Sequence, residues 1–308
     1  MTLLAALHKA HNCDPWTDRA LHAFVLDDVQ IGFVQPRVLD AIRQFLRETL
    51  SDVLVIKEDG AHDVVTLAHG TSRAQRTAAM SALVAWMRAR RIFPDPLDGW
   101  RDEPYAVYAR AHGSASRSHV AFTLERAACA LFGFATFGVH LTAYTPDGRI
   151  WVSKRSRTKQ TWPSYYDNSV AGGIIAGDAP MASMIRECYE EAGLTEEQVT
   201  PYIKQTGCIS YFHKTDAGWY QPEMQFTYDL ALPSTEIVLA PVDGEAESFE
   251  LLDKDAVLER VETLEFKPNC ALVVADFFAR HGMLTFENEE HYTAILECIH
   301  TPLRLPTP

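Results

Sequence analysis

Clustered metal-ligating residues of the zinc kind are missing from this 308-residue sequence. The six cysteines (Cys13, Cys129, Cys188, Cys208, Cys270 and Cys298) are scattered without a CxxC pair or a Cys/His cluster. The 12 histidines include no HxH or HExxH. Spacing therefore supports neither a zinc site nor a disulfide framework, and the thiols read as reduced groups of a cytoplasmic protein. Long apolar runs are also lacking. The stretch Leu3 to Leu7 is broken at once by His8 and Lys9, too short for a signal peptide, and nothing approaches a membrane span. Excess positive charge is absent as well: the net charge of −13 argues against nucleic-acid or anionic-membrane partners, which are held mainly by Lys and Arg. No P-loop, no dinucleotide fingerprint, no internal repeat and no low-complexity tract is found.

What is present is enough apolar residue, 47% of the chain, to build two domains with a substantial core. In the first part, His22 to Pro36 reads as a hairpin turning at Asp27-Asp28, and Val38 to Leu50 as a helix. A second strand pair, Val53 to Ile56 and Val64 to Leu67, turns at Glu58-Asp59-Gly60, and a helix follows from Arg73 to Arg90. Phe93 to Pro104 reads as a loop. Further on, Gly138 to Tyr144 and Arg149 to Val152 form a hairpin about Pro146-Asp147-Gly148. Tyr220 to Leu232 and Ser248 to Leu252 are candidate strands, and Pro268 to His281 a helix. The expected fold class is α/β (α+β), with a small accessory domain over residues 1–130, a mixed-sheet domain over 131–290 and a C-terminal tail over 291–308, extended over Thr301 to Pro308 with its three prolines.

The densest chemistry lies between Gly172 and Leu194, GGIIAGDAPMASMIRECYEEAGL. Met181, Ile185, Cys188, Tyr189 and Ala192 recur at three- and four-residue steps, and Gly193 stands where a helix ends. This spacing predicts a short amphipathic helix. Glu187, Glu190 and Glu191 then share one face within an arc of about 100°. Like charges so placed repel, and a bound divalent cation reverses the sign of that energy; hard carboxylate oxygens suit Mg²⁺ or Mn²⁺. Asp178, near the helix start, is placed to cap it.

These residues resemble the Nudix hydrolase signature. Gly172, Arg186, Glu187, Glu190, Glu191, Gly193 and Leu194 fit its pattern, while Asp178 replaces the usual Glu and Cys188 fills the first aliphatic slot. Stretches along nearly the whole chain, among them Gly99 to Glu103, Glu125 to Ala127, Arg155 to Lys159 and Asp167 to Gly173, resemble one Nudix subfamily. Its members carry an extra N-terminal domain, and some are associated with thiamine diphosphate metabolism. The resemblance implies a Nudix mixed-sheet sandwich behind a small α/β domain. It also implies hydrolysis of a small-molecule diphosphate, with thiamine diphosphate or its damaged oxo and oxy forms cleaved to the monophosphate as the expected reaction.

On the same resemblance, Glu187, Glu190 and Glu191 are metal ligands joined by the backbone carbonyl near Gly172, and Arg186 orients a neighbouring glutamate. An acid from a loop beyond the motif, Glu245 or Glu247, can complete the site, with Glu187 as rival base. Arg155, Arg157 and Lys159 are candidates to meet the terminal phosphate. Trp162, Tyr165, Tyr166, Tyr211 and Trp219 are candidates to stack on a heteroaromatic ring, and Glu223 to face a cationic or amino-bearing one. His140 and His213 read as interior or edge residues. Three alternatives stay in view: a non-catalytic Nudix-fold sensor, a hydrolase of ADP-ribose or NADH-type substrates, and isopentenyl diphosphate isomerase. The isomerase needs a cysteine before the motif, and Thr161 to Ala171 contain none. The N-terminal domain can line the substrate pocket or mediate a homodimer.

Overall fold

A computed structural model describes residues 1–58, 62–110 and 118–308. The turn expected at Glu58-Asp59-Gly60 therefore falls outside the described residues. After a short helix α1 (Leu3–Leu7), strands β1 (His22–Leu26) and β2 (Val29–Val34) form a hairpin. Its turn residues Asp27 and Asp28 both take positive φ, the geometry that matches strand twist. Helix α2 (Pro36–Thr49) begins on a proline at its first turn, where the missing N–H costs nothing. Strands β3 (Leu54–Lys57) and β4 (Val64–Leu67) complete a sheet of order β2-β1-β4-β3. Helix α3 (Arg73–Ala89) opens on a Ser72/Gln75 capping box. Within the stretch expected as a loop, Pro94–Leu97 makes a short helix, α4. A two-stranded ribbon of β5 (Pro104–Ala109) and β6 (His119–Glu125) closes this half. Its core gathers Phe24, Phe45, Met80, Trp86, Phe122, Phe132 and Phe134.

The second half is a mixed sheet between helical layers. Strands β7 (Thr136–Tyr144), β8 (Ile150–Arg155), β9 (Tyr166–Asp167) and β10 (Val170–Gly173) precede helix α5 (Pro180–Ala192) and the short α6 (Glu196–Val199). Then come β11 (Ile203–Lys214), β12 (Tyr220–Ala231), β13 (Ala246–Leu252), α7 (Lys254–Glu262), α8 (Pro268–Arg280) and α9 (Tyr292–Ile299). The order is β11-β12-β7-β8-β13, with β10 pairing β7 and β9 pairing β8. Strand β7 alternates its faces: Val139, Leu141 and Ala143 pack with Met184 and Cys188 of α5, while His140 meets Asn168 and the α8 side.

Two boundaries differ from expectation. Leu3, Ala6 and Leu7 of α1 are buried with Val257, Leu272 and Phe278, so the first residues of the chain complete the core of the second half. The segment expected as a tail carries α9. Its Ile295, Cys298 and Ile299, spaced for one helix face, are buried there, and Leu303 and Leu305 pack beside Phe33 and Phe137. The halves are also joined through the β11–β12 turn. Gln35 Nε2 donates to the Gly218 carbonyl at 2.7 Å, and Arg37 to that of Ala217 at 3.0 Å.

A candidate metal and diphosphate site at the motif helix

Helix α5 is seated by Met184, Cys188 and Ala192, which are buried at i, i+4 and i+8. Tyr189, expected on that apolar face, is 61% exposed, because the helix has turned it toward solvent. Gly193 takes φ of 68° and ends the helix, and the Leu194 N–H returns to the Cys188 carbonyl at 3.0 Å. The cap expected from Asp178 is not made. Ala179 is the first flanking residue, without a side-chain cap, and Asp178 instead lies 3.9 Å from the Arg186 guanidinium.

Seated this way, α5 presents its acids at β10. The Glu187 side chain lies directly over Gly172: a Cβ at 172 would stand 2.5 Å from Glu187 Cγ and nearer to its carboxyl carbon. Glycine is required there to let the carboxylate approach the backbone. Glu191 is partly buried and accepts the Ala171 N–H at 3.1 Å. Glu190 is about half exposed, and Arg186 bridges Glu187 at 3.0 Å and Glu190 at 3.1 Å. Burial pushes Glu187 up to about 7; Glu190 and Glu245 push the same way, and Arg186 opposes them. Burial also pushes Glu191 well above the usual carboxylate range. A partly buried pair of carboxylates beside a backbone carbonyl is a hard-oxygen donor set, and positive charge placed among them would lower both pKa values. The residues fit Mg²⁺ or Mn²⁺.

The loop acids separate. Glu245 lies close enough to raise the pKa of both Glu187 and Glu191. Burial alone would push Glu245 up, but a hydrogen bond and charge from Lys159, helped by Arg101 and Arg155, hold it below its ordinary value. Glu247 faces outward in an exposed pair with Arg157 at 2.7 Å.

Several residues expected at the substrate have structural partners instead. Arg155 is nearly buried; it binds Asp167 at 2.7 Å and the carbonyls of Trp162 and Thr161 at 3.0 and 2.9 Å, which engages three of its five N–H donors. Arg157 is 78% exposed on Glu247, and Lys159 pairs with Glu245. Tyr166 is core, stacked on Phe266 and donating to Glu250 at 2.9 Å. Trp219 belongs to the core of the first half, where its Nε1 donates to Asp95 at 2.9 Å and Arg37 covers its ring. Trp162 is half-buried, edge-on to Tyr165. Glu223 accepts from Tyr211 and from Gln225 Nε2, the latter at 2.9 Å, on the sheet face opposite α5.

Chain spacing gave no hint of one cluster. His140, Asp167 and Cys270, from β7, β9 and α8, bring ligand-type atoms within 4.8 Å of one another, and all three are buried. Geometrically this group can hold a metal ion, contrary to the absence of a Cys/His cluster read from sequence. Its atoms are already engaged: His140 Nδ1 lies 2.7 Å from Asn168 Oδ1, and the Cys270 thiol donates to Asp167 at 2.6 Å. Burial lowers His140 to about 4. Burial opposes ionisation of Asp167, but Lys267 and Arg155 outweigh it and hold its pKa well below the usual range. Spread between positions 140 and 270, these three residues carry no sequence signature.

Comparison with known families agrees with this architecture. Residues 3–136 match a domain of unknown function, DUF4743, and residues 136–270 match the NUDIX domain. Nudix hydrolase 20, chloroplastic, of Arabidopsis thaliana is 32% identical over 275 residues, covering 86% of this chain and 69% of that protein. The chain belongs to the Nudix hydrolase family. Nudix hydrolase 24, chloroplastic, of the same plant is 31% identical, covering 93% of this chain and 75% of that protein. The uncharacterized protein YJR142W of Saccharomyces cerevisiae is 37% identical over 224 residues, 68% of this chain, and the match spans 63% of that protein's length. Among the described residues no helix is long and apolar enough to cross a membrane.

Proposed function

We propose that this chain is a Mg²⁺- or Mn²⁺-dependent pyrophosphatase of small organic diphosphates, with thiamine diphosphate or its oxo and oxy forms as the best-fitting substrates and the monophosphate plus phosphate as products. The observation that carries the reading is the seat of Glu187 over Gly172, beside partly buried Glu191. The thiamine compounds come from the subfamily resemblance and from Glu223, a carboxylate suited to an amino-bearing or cationic ring. Six free cysteines suit a reducing compartment, and we place the protein in the cytoplasm.

Glu187, Glu190, Glu191 and the Gly172 carbonyl would hold the ion, which when bound neutralises diphosphate charge and lowers the pKa of the attacking water. Arg186 fixes the carboxylates of Glu187 and Glu190 relative to each other. Lys159 keeps Glu245 ionised despite its burial, so Glu245 can take the proton as the water oxygen bonds to phosphorus. Glu187 is the rival acceptor. The bridging P–O bond breaks, and its electron pair leaves with the departing oxygen.

The test is phosphate release with Mg²⁺ from a panel of thiamine diphosphate, its oxo and oxy analogues, ADP-ribose, NADH and nucleoside triphosphates. Preferred turnover of the thiamine compounds is the expected result. Turnover of ADP-ribose or NADH alone would move the substrate assignment, and metal-dependent binding without turnover would make the protein a sensor.

A further inference from the structure

The three cations of the basic run are each matched by an acid: Arg155 by Asp167, Arg157 by Glu247 and Lys159 by Glu245. Arg186 is likewise spent on Glu187 and Glu190. A diphosphate arriving at α5 therefore finds no unmatched positive charge among the cations expected to receive it. One does stand close by, on the loop of the N-terminal domain that leads into β5.

This loop, Gly99 to Pro104, is tied to the second half at both ends. A Cβ at Gly99 would stand 3.7 Å from Gln160 Oε1, ordinary contact with the residue that follows Lys159. At the other end the Ala176 N–H, just past β10, donates to the Pro104 carbonyl at 2.8 Å. Between these ties the loop is held in shape. Arg88 covers the Trp100 ring at 4.3 Å, Trp100 Nε1 donates to Asp102 at 2.7 Å, and the Arg101 N–H donates to Glu125 at 3.0 Å. Asp102 takes φ of 59°, uncommon for a residue other than glycine. Arg101 is half-buried, and among the described residues its guanidinium makes neither a hydrogen bond nor an ion pair. Its charge reaches Glu245: against the effect of burial, Lys159 and then Arg101 hold that carboxyl below its ordinary value. Glu245 in turn is near enough to shift Glu187 and Glu191 upward.

We propose that Arg101 is a phosphate-binding residue of the site, supplied by the N-terminal domain. Its guanidinium donates paired hydrogen bonds to oxygens of the phosphoryl group that water attacks beside Glu245. Negative charge builds on those oxygens as the water oxygen bonds to phosphorus and the bridging P–O bond breaks, and donors already fixed in place meet it. The water proton passes to Glu245, and Arg101 neither gains nor loses one. The inference rests on the hydrolase reading of the α5 site.

Arg101→Gln removes the charge, and Arg101→Lys keeps the charge while losing the paired donors. Both variants should unfold near the wild-type temperature, because the guanidinium has no partner in the protein to lose; loss of cooperative unfolding in both would make the side chain structural and overturn the proposal. With the diphosphate that wild type cleaves fastest, kcat/KM is expected to fall about a hundredfold in Arg101→Gln at every pH, and less in Arg101→Lys. A fall of less than about tenfold in Arg101→Gln overturns the assignment. So does a loss that disappears at alkaline pH, which would mean that Arg101 acts only by keeping Glu245 ionised. If wild type cleaves no diphosphate, the hydrolase reading fails on its own. Calorimetry with inorganic pyrophosphate and Mg²⁺ then decides Arg101: affinity about tenfold weaker in Arg101→Gln supports it, and unchanged affinity or absent binding to wild type overturns it.

Discussion

Replacing Gly172 by alanine puts a methyl group where the Glu187 side chain now lies. The new Cβ would stand 2.5 Å from Glu187 Cγ, whereas ordinary contact begins at 3.4 Å. Glu187 must therefore retreat by about 1 Å, and its carboxylate leaves the backbone carbonyl it shares a site with. Misplacement of a catalytic group by this much costs on the order of 10²-fold in rate. Stability moves little. Gly172 does not occupy the positive-φ region, so alanine suits its backbone, and the group displaced is the flexible end of a side chain. Reduced backbone freedom of the unfolded chain returns about 0.5–1 kcal/mol against the steric cost, which keeps the thermal midpoint within roughly 3 °C of wild type. Phosphate release from thiamine diphosphate, measured beside thermal unfolding, checks both halves. Activity within about threefold of wild type would refute the close approach of Glu187 to the backbone as a catalytic requirement.

Two further outcomes follow from burial. His140, lowered by burial to about 4 from an unfolded value of 6.5, binds a proton more readily when the chain unfolds. Its contribution is complete above pH 6.5 and is lost as pH falls toward 4. Stability should therefore drop by about 2–3 kcal/mol between pH 7 and 4.5; urea midpoints of wild type and His140→Asn should diverge in slope across that window, and parallel curves would contradict the shift. Arg155→Met should cost about 3 kcal/mol, because it removes the ion pair of buried Asp167 and frees two carbonyls, leaving Lys267, the Cys270 thiol and the Asn168 N–H to compensate. A denaturation midpoint unchanged from wild type would return Arg155 to the pool of phosphate candidates.

The sequence was most legible where a feature is local. The three-acid face of α5, the left-handed Gly193 and the Asp27-Asp28 turn each sit within one stretch of chain, and periodicity or turn chemistry suffices to place them. Residue type alone misled where burial decides the role. Arg155, Tyr166 and Trp219 carry the chemistry of a phosphate or ring site, yet Asp167, Phe266 and Asp95 claim them. Glu245 and Glu247 are indistinguishable in sequence; what separates them is Lys159, some 86 positions away, and the proximity of the α5 acids. Strand β11 went unread because Lys204, Gln205 and Gly207 interrupt its alternation, and only the long pairing with β12 secures it.

The most direct measurement compares Mg²⁺-dependent phosphate release from thiamine diphosphate by wild type and by Glu190→Gln. Glu190 is half exposed and, among the described residues, paired only with Arg186, so the substitution removes a charge and leaves volume and fold in place. Turnover by wild type, reduced at least about a hundredfold in the folded variant, is the predicted result. A folded variant that retains its Mg²⁺-dependent rate would contradict the metal role given to the face of α5.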